Sequence, residues 1–303
     1  MSLYHKYRPS SLNKIKGNED IVEALNNMLT KKETFPHSIL LHGETGCGKT
    51  TIARIIAKEL NCTESDYIEL NTSDFRGIDT AREIIKSSQF KPLNSDCRIW
   101  VIDECQKITN DAQNALLKIL EDTPKHVYFI LCTTDPQKLI APIKNRCQQF
   151  QVTPLTEIQL FGLLRRIVKN ENEELEKEVY DQIILDSMGH PRDAIQILEK
   201  VLSVTPENRL NIAKKSAEIQ NQSIELCRVL MKKSNWGTVN KILLGLKGQE
   251  AEDIRRVILG YAQAVLLKAD DSRAALIIEE FWEPFYNIGF PGLVYACYSV
   301  TKN

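Results

Sequence analysis

The chain has 303 residues, 43% hydrophobic and 26% charged, with 39 Lys and Arg against 40 Asp and Glu for a net charge of −1. That length suits two or three domains of an ordinary globular protein. The charge is spread evenly along the chain, which excludes nucleic-acid binding driven by bulk basicity; any such binding needs a local patch or a surface shared by several subunits. No apolar run approaches a membrane span, and Met1–Lys6 lacks a signal-peptide core. The eight cysteines are scattered, with no C-x-x-C pair and no Cys/His cluster. They read as reduced thiols in the cytoplasm (of a host, if the source is viral), and a structural zinc site is not expected.

Residues 1–152 alternate apolar strand candidates with helical stretches. The strands are Ser38–Leu41, Tyr67–Leu70, Ile99–Ile102 and Val127–Cys132. Such alternation predicts an α/β domain with a largely parallel sheet, whose strand ends converge on one ligand crevice. Directly after the first strand, Gly43-Glu44-Thr45-Gly46-Cys47-Gly48-Lys49-Thr50 fits G-x-x-x-x-G-K-[ST] and runs into a helix-like Thr51–Ala57 stretch. Strand, glycine loop and helix together let backbone N–H groups converge on phosphate oxygens. Lys49 is placed to reach the β and γ phosphates and Thr50 to ligate Mg²⁺. Cys47, near a helix N-terminus, is a candidate reactive thiol.

Fifty residues on, Arg98–Ile102 ends in Asp103-Glu104. Asp103 suits Mg²⁺ through its water shell, and Glu104 suits polarising a water for attack on the γ-phosphate. The pairing favours an ATPase over a small-molecule kinase. Leu131–Thr134 ends another strand beside the presumed site, where a hydroxyl would meet the water or the γ-phosphate. Asn145-Arg146-Cys147 follows. Pro154 opens a helical region, 153–205, in which Gly189-His190-Pro191-Arg192-Asp193 begins a helix. Pro206 marks a second boundary, and 206–303 reads as helix after helix, including Ile254–Leu267 and Ala274–Phe281. Phe281, Trp282, Phe285 and Tyr286 cluster near Pro284 and read first as core, then as subunit packing.

Several motifs together resemble one family. Lys6-Tyr7-Arg8-Pro9 is similar to a K-Y-R-P box, and the Glu69–Ile78 stretch is similar to E-L-N-A-S-D-E-R-G-I. Asn114–Lys118 through Thr133–Leu139 looks like the bacterial form of the same family. The chain resembles a clamp-loader subunit of the AAA+ class, as in replication factor C small subunits, the bacterial γ/τ subunit and phage clamp loaders. The resemblance implies a P-loop AAA+ domain (1–152), a small helical lid (153–205) and an all-α collar (206–303) for oligomerisation. It also implies ATP and Mg²⁺ as cofactors. The expected partners are a sliding clamp, primer–template DNA and the other subunits of a pentameric spiral, copies of itself with one different subunit.

Residue by residue, the resemblance puts Tyr7, Arg8 and Pro9 at the adenine and ribose, and Gly43, Thr45, Gly46, Cys47, Gly48, Lys49, Thr50 and Thr51 at the phosphates. Thr134 takes the sensor-1 position and Arg192 the sensor-2 position. Arg146 falls where an arginine finger points into a neighbour's site. Arg76, Gly77, Ile78, Arg82 and Thr109 are the candidates for DNA phosphate contacts. Three departures stand out: Asn145 replaces the serine of the S-R-C motif, Cys47 sits inside the P-loop, and the zinc module of γ/τ is missing. Two other readings remain open at this point, a repair or recombination ATPase such as a branch-migration motor, and a non-catalytic nucleotide-binding scaffold.

Overall fold

A computed structural model describes residues 2–71, 77–267, 269, 271–285 and 288–302. The chain divides into two compact units, 1–206 and 207–303. In the first, the described strands are β1 (Ser38–His42), β2 (Tyr67–Asn71), β3 (Arg98–Asp103), β4 (Val127–Thr133) and β5 (Gln148–Gln151). They form one sheet in the order β2-β3-β4-β1-β5, with every pairing parallel. The predicted strands all lie within observed ones. β5 was not predicted, because its Gln-Gln-Phe-Gln sequence buries only Phe150; an edge strand needs no apolar run.

The helices of this unit are α1 (Leu3–Lys6), α2 (Glu19–Leu29), α3 (Lys49–Glu59), α4 (Ile78–Ser88), α5 (Asn110–Glu121), α6 (Ala141–Arg146), α7 (Glu157–Asn170), α8 (Lys177–Ser187) and α9 (Pro191–Leu202). Parallel strands covered on both faces are apolar throughout, and alternate residues feed opposite cores. Ile39, Leu41, Ile99, Val101 and Ile130 join the α2 and α3 residues Leu25, Ile52 and Ile56. Leu40, Trp100, Ile102, Phe129 and Leu131 join Ile84, Leu116 and Ile143 from α4, α5 and α6. This double cover fixes the register of β1, β3 and β4, so that their C-terminal ends meet at one edge. Gly43, just past β1, donates its N–H to the carbonyl of Thr133 at the end of β4, 3.1 Å away.

α7 starts with a capping box in which Thr156 and Gln159 satisfy each other's backbone N–H groups. The N-terminal arm docks on these later helices. α1 packs against α9, the Leu3 N–H donates to Glu199, and Lys6 and Tyr7 both hold Glu171.

The second unit contains most of α10 (Pro206–Met231), followed by α11 (Trp236–Gly245), α12 (Ala251–Leu266), α13 (Ser272–Glu280) and α14 (Phe290–Lys302). Its core gathers Leu226, Leu243, Ile258, Phe281, Leu293 and Val300. Phe281 and Phe285 are buried edge to face, but Trp282 is 72% exposed and departs from the core reading of that cluster; Tyr286 lies outside the described residues. Among the described residues no helix is long and apolar enough to cross a membrane, and no three His, Cys, Asp or Glu side chains converge as metal ligands. All eight cysteines are free thiols.

Candidate nucleotide site

The loop between β1 and α3 is shaped by its glycines. Gly43 has φ +147, and a Cβ there would lie 2.0 Å from the Val152 carbonyl oxygen, so only glycine lets the loop leave the sheet at this point. Gly48 has φ +103 and caps α3, and a Cβ there would meet nothing within 4 Å. The loop therefore presents an open concavity at a helix N-terminus, which suits an anion. Lys49 is 7% exposed and folds back, donating from Nζ to the carbonyls of Gly43 at 2.9 Å and Glu44 at 2.8 Å. Those bonds keep a buried ammonium satisfied.

Across the cleft, Thr50 Oγ1 donates to Asp103 Oδ2 at 2.9 Å, and Asp103 Oδ1 accepts the Glu104 N–H at 2.9 Å. A hydroxyl and a carboxylate side by side are the hard oxygen ligands that Mg²⁺ takes, so these residues fit that ion beside a triphosphate. Glu104 has φ +52, a left-handed conformation uncommon for a residue with a Cβ. Its carboxylate accepts from Gln106 Nε2 at 2.7 Å and lies 3.6 Å from Lys107 Nζ.

Lys49, Thr50, Asp103, Glu104, Tyr4 and Arg192 line one polar cavity, together with Thr45 and Thr51. A more apolar cavity adjoins it, lined by Tyr7, Arg8, Pro9, Cys47, Leu163 and Ile195 among others. A phosphate chain suits the first and a base the second. The Cys47 thiol is not the reactive group expected from its place in the loop: it is buried, and burial pushes it up to about 11 despite nearby Lys49. Arg192 reaches the cavity from the start of α9, with its guanidinium 5.5 Å from the Tyr4 ring centroid. Arg8 lies 5.2 Å from the same ring and donates to the Tyr4 hydroxyl at 3.0 Å. The loop and the α7–α9 helices also meet where Glu44 pairs with His190 Nε2 at 2.8 Å.

Thr134 joins the group through Gln106, whose Nε2 donates to Thr134 Oγ1 at 2.9 Å. Three residues that line or brace the site escaped sequence reasoning: Tyr4, Gln106 and His190. An aromatic three residues before Tyr7 and an amide two residues after Glu104 were available signals, although neither residue type marks a nucleotide site by itself.

Other predicted residues lie elsewhere. Arg146, at the end of α6, pairs with Glu121 at 2.9 Å and donates to the Pro142 carbonyl at 3.1 Å. The cavity around it includes Ser38 and Gln148, the first residues of β1 and β5, so it sits at the sheet end opposite the P-loop. Arg146 therefore lines a different cavity from Lys49, Thr50, Asp103 and Glu104. Gly77 caps α4, Ile78 opens it, and Arg82 on α4 pairs with Asp79 at 3.0 Å with 67% of its side chain exposed. The Thr109 hydroxyl caps α5 by accepting from the Ala112 N–H at 3.4 Å. Arg76 lies outside the described residues.

Known proteins are similar to this chain in sequence and in fold. Residues 64–156 fit the family model described as DNA polymerase III, delta subunit, and residues 15–91 fit the Sigma-54 interaction domain. The replication factor C small subunit of Methanococcus maripaludis is 38% identical over 206 residues, which is 67% of this chain and 65% of the relative. The DNA polymerase III subunit gamma of Buchnera aphidicola is 34% identical over 227 residues, 68% of this chain and 62% of the relative. The homologues of this chain are clamp-loader AAA+ ATPases. The gamma/tau subunit of Mycobacterium bovis is 32% identical over 67% of this chain, and the match spans 39% of that relative. Matches to these relatives thus span roughly two fifths to two thirds of the relatives' own length. In structure, the Thermotoga maritima RuvB Holliday junction branch migration motor superposes with a TM-score of 0.60 at 22% identity, over 74% of this chain and 79% of that one. At that identity the likeness establishes the fold alone.

Proposed function

We propose that this chain is an ATP-hydrolysing clamp-loader subunit, which opens a sliding clamp and closes it on primer–template DNA during replication. The observation that carries the reading is the gathering of Lys49, Thr50, Asp103 and Glu104 around one cavity, in a chain whose homologues are clamp loaders. ATP is the cofactor. Thr50 and Asp103 would hold Mg²⁺, which would supply charge neutralisation at the phosphate oxygens. Lys49 exchanges the carbonyls of Gly43 and Glu44 for phosphate oxygens. Glu104 accepts the proton of the attacking water as its oxygen bonds to the γ-phosphorus and the bond to the β-phosphate oxygen breaks. Thr134 and Arg192 orient the γ-phosphate. Tyr7, Arg8 and Pro9 border the base, and Gly43, Thr45, Gly46, Cys47, Gly48 and Thr51 shape the bed beneath the phosphates.

Arg146 belongs to the site of the next subunit. Its place at the far end of the sheet supports that role, and hydrolysis then requires assembly. Residues 1–152 act as the nucleotide domain, 153–205 as the lid and 206–303 as the collar of a pentameric spiral, with one different subunit completing it. DNA phosphates are met by the N-termini of α4 and α5 through Arg76, Gly77, Ile78, Arg82 and Thr109. This mode of binding is indifferent to sequence and steeply dependent on salt. ATP-dependent retention of the cognate clamp on primed circular DNA tests the reading. Retention that needs ATP, and is lost in Lys49→Ala, is the expected result; ATP turnover without any retained clamp would move the chain to the repair ATPases.

A further inference from the structure

Gln106 lies on the single turn, Cys105–Lys107, that follows β3. Its side-chain amide is fully committed. Oε1 accepts from Thr133 Oγ1 at 2.7 Å, while Nε2 donates to Glu104 Oε2 at 2.7 Å and to Thr134 Oγ1 at 2.9 Å. The orientation of the amide is fixed by chemistry: a carboxylate only accepts, so the nitrogen must face Glu104. Thr133 is 0% exposed, and its hydroxyl also accepts the Asp135 N–H at 3.0 Å, so it anchors the oxygen end from the sheet. Because Thr134 accepts from Gln106, the proton of its own hydroxyl points away from the amide.

We propose that Gln106 is a positioning residue for the hydrolytic step, tying the Glu104 carboxylate and the Thr134 hydroxyl to one rigid amide. This inference rests on the ATPase reading above. Each N–H of Gln106 serves one of the two groups that flank the attacked phosphorus. One holds the carboxylate that takes the water's proton; the other orients the hydroxyl that donates to the γ-phosphate. Displacement of Thr134 by a γ-phosphate is thereby passed to Glu104 through a single side chain, and neither group moves independently.

The test compares Gln106→Ala and Gln106→Glu with the wild-type chain in the complete assembly with primed DNA and clamp, measuring ATP affinity and turnover separately. Gln106→Glu keeps the size and shape of the side chain but removes the donors, so a space-filling role survives it and a positioning role does not. Both variants are expected to lose turnover roughly 10–100-fold, by analogy with the loss of a group that orients a metal ligand, with ATP affinity within about twofold of wild type. In a cycle with Thr134→Ala, the double variant is expected to be no slower than the slower single one. Normal turnover in Gln106→Glu, fully multiplicative losses in the cycle, or loss of ATP binding alongside turnover would each overturn the proposal. A wild-type assembly that binds ATP but does not hydrolyse it would strike down the ATPase reading and this inference together.

Discussion

One polar network in each unit shows two opposite uses of the same kinds of bond. In the second unit, Glu252 and Arg255 form a two-pronged pair at 2.8 Å, each side chain about a tenth exposed. Arg255 also donates to the Phe281 carbonyl at 2.7 Å and the Trp282 carbonyl at 3.2 Å, while Glu252 accepts the Phe285 N–H at 2.9 Å. That network clips α12 to the segment after α13 and leaves no bond to exchange. In the first unit, Lys49, Thr50 and Asp103 are equally well paired, but they line a cavity and hold partners that a ligand can replace. A buried network is a staple when its partners are internal and fixed. It is a site when the same bonds can be traded.

Substitutions can break this contrast. The largest effect is expected from Arg146→Ala, which should retain ATP binding and lose about 10³–10⁵-fold in DNA-stimulated turnover, the usual worth of an arginine finger. Normal turnover by the variant assembly would remove the finger assignment. Glu104→Gln comes next, with turnover down roughly 10²–10⁴-fold and affinity kept; mixing the two proteins should restore part of the activity, since an Arg146 donor then meets an intact Glu104. Arg255→Ala should spare ATP affinity but lower the stability of the second unit by about 3–5 kcal/mol in urea unfolding, because Glu252 is left buried and unpaired. An unchanged midpoint would mean that the pair is not a staple.

The smallest effect concerns acid. Asp66, 0% exposed, would be pushed up by burial, but the N–H groups of Asn94 and Leu93, the Ser95 hydroxyl and the Arg98 guanidinium bring it down to about 2 from 3.8. A depressed carboxyl stabilises the fold above its unfolded value and loses that contribution as pH falls through the folded one. About 2 kcal/mol should therefore disappear from the first unit between roughly pH 4 and 2. Asp66→Asn should flatten that part of the stability–pH curve, and a curve of unchanged slope would contradict the assignment.

Legibility in the sequence followed the same physical divide. β1, β3 and β4 were readable because strands buried on both faces must be apolar, and the edge strand β2 because it still carries Tyr67, Ile68 and Leu70, whereas β5 was hidden by its glutamines. The P-loop and Asp103 could be paired across fifty-three residues because phosphate and metal chemistry constrains their types and spacing. Tyr4, Gln106 and His190 act through contacts made only after folding: the ring beneath Arg192, the amide between Glu104 and Thr134, and the imidazole against Glu44. Closeness to Tyr7 and Glu104 was a hint for two of them, but residue type alone does not separate such positions from surface ones. The docking of Tyr7 on Glu171, 164 residues away, was likewise invisible. Cys47 misled for a related reason, since its position suggested reactivity and its burial opposes it.

Steady-state ATP hydrolysis of the purified assembly, measured alone, with primed DNA, and with primed DNA plus the cognate clamp, decides whether this chain works as a clamp-loader ATPase. A clamp-loader subunit should show a large rise with DNA and a further rise with the clamp. A rate that responds to branched or duplex DNA yet ignores the clamp would contradict it.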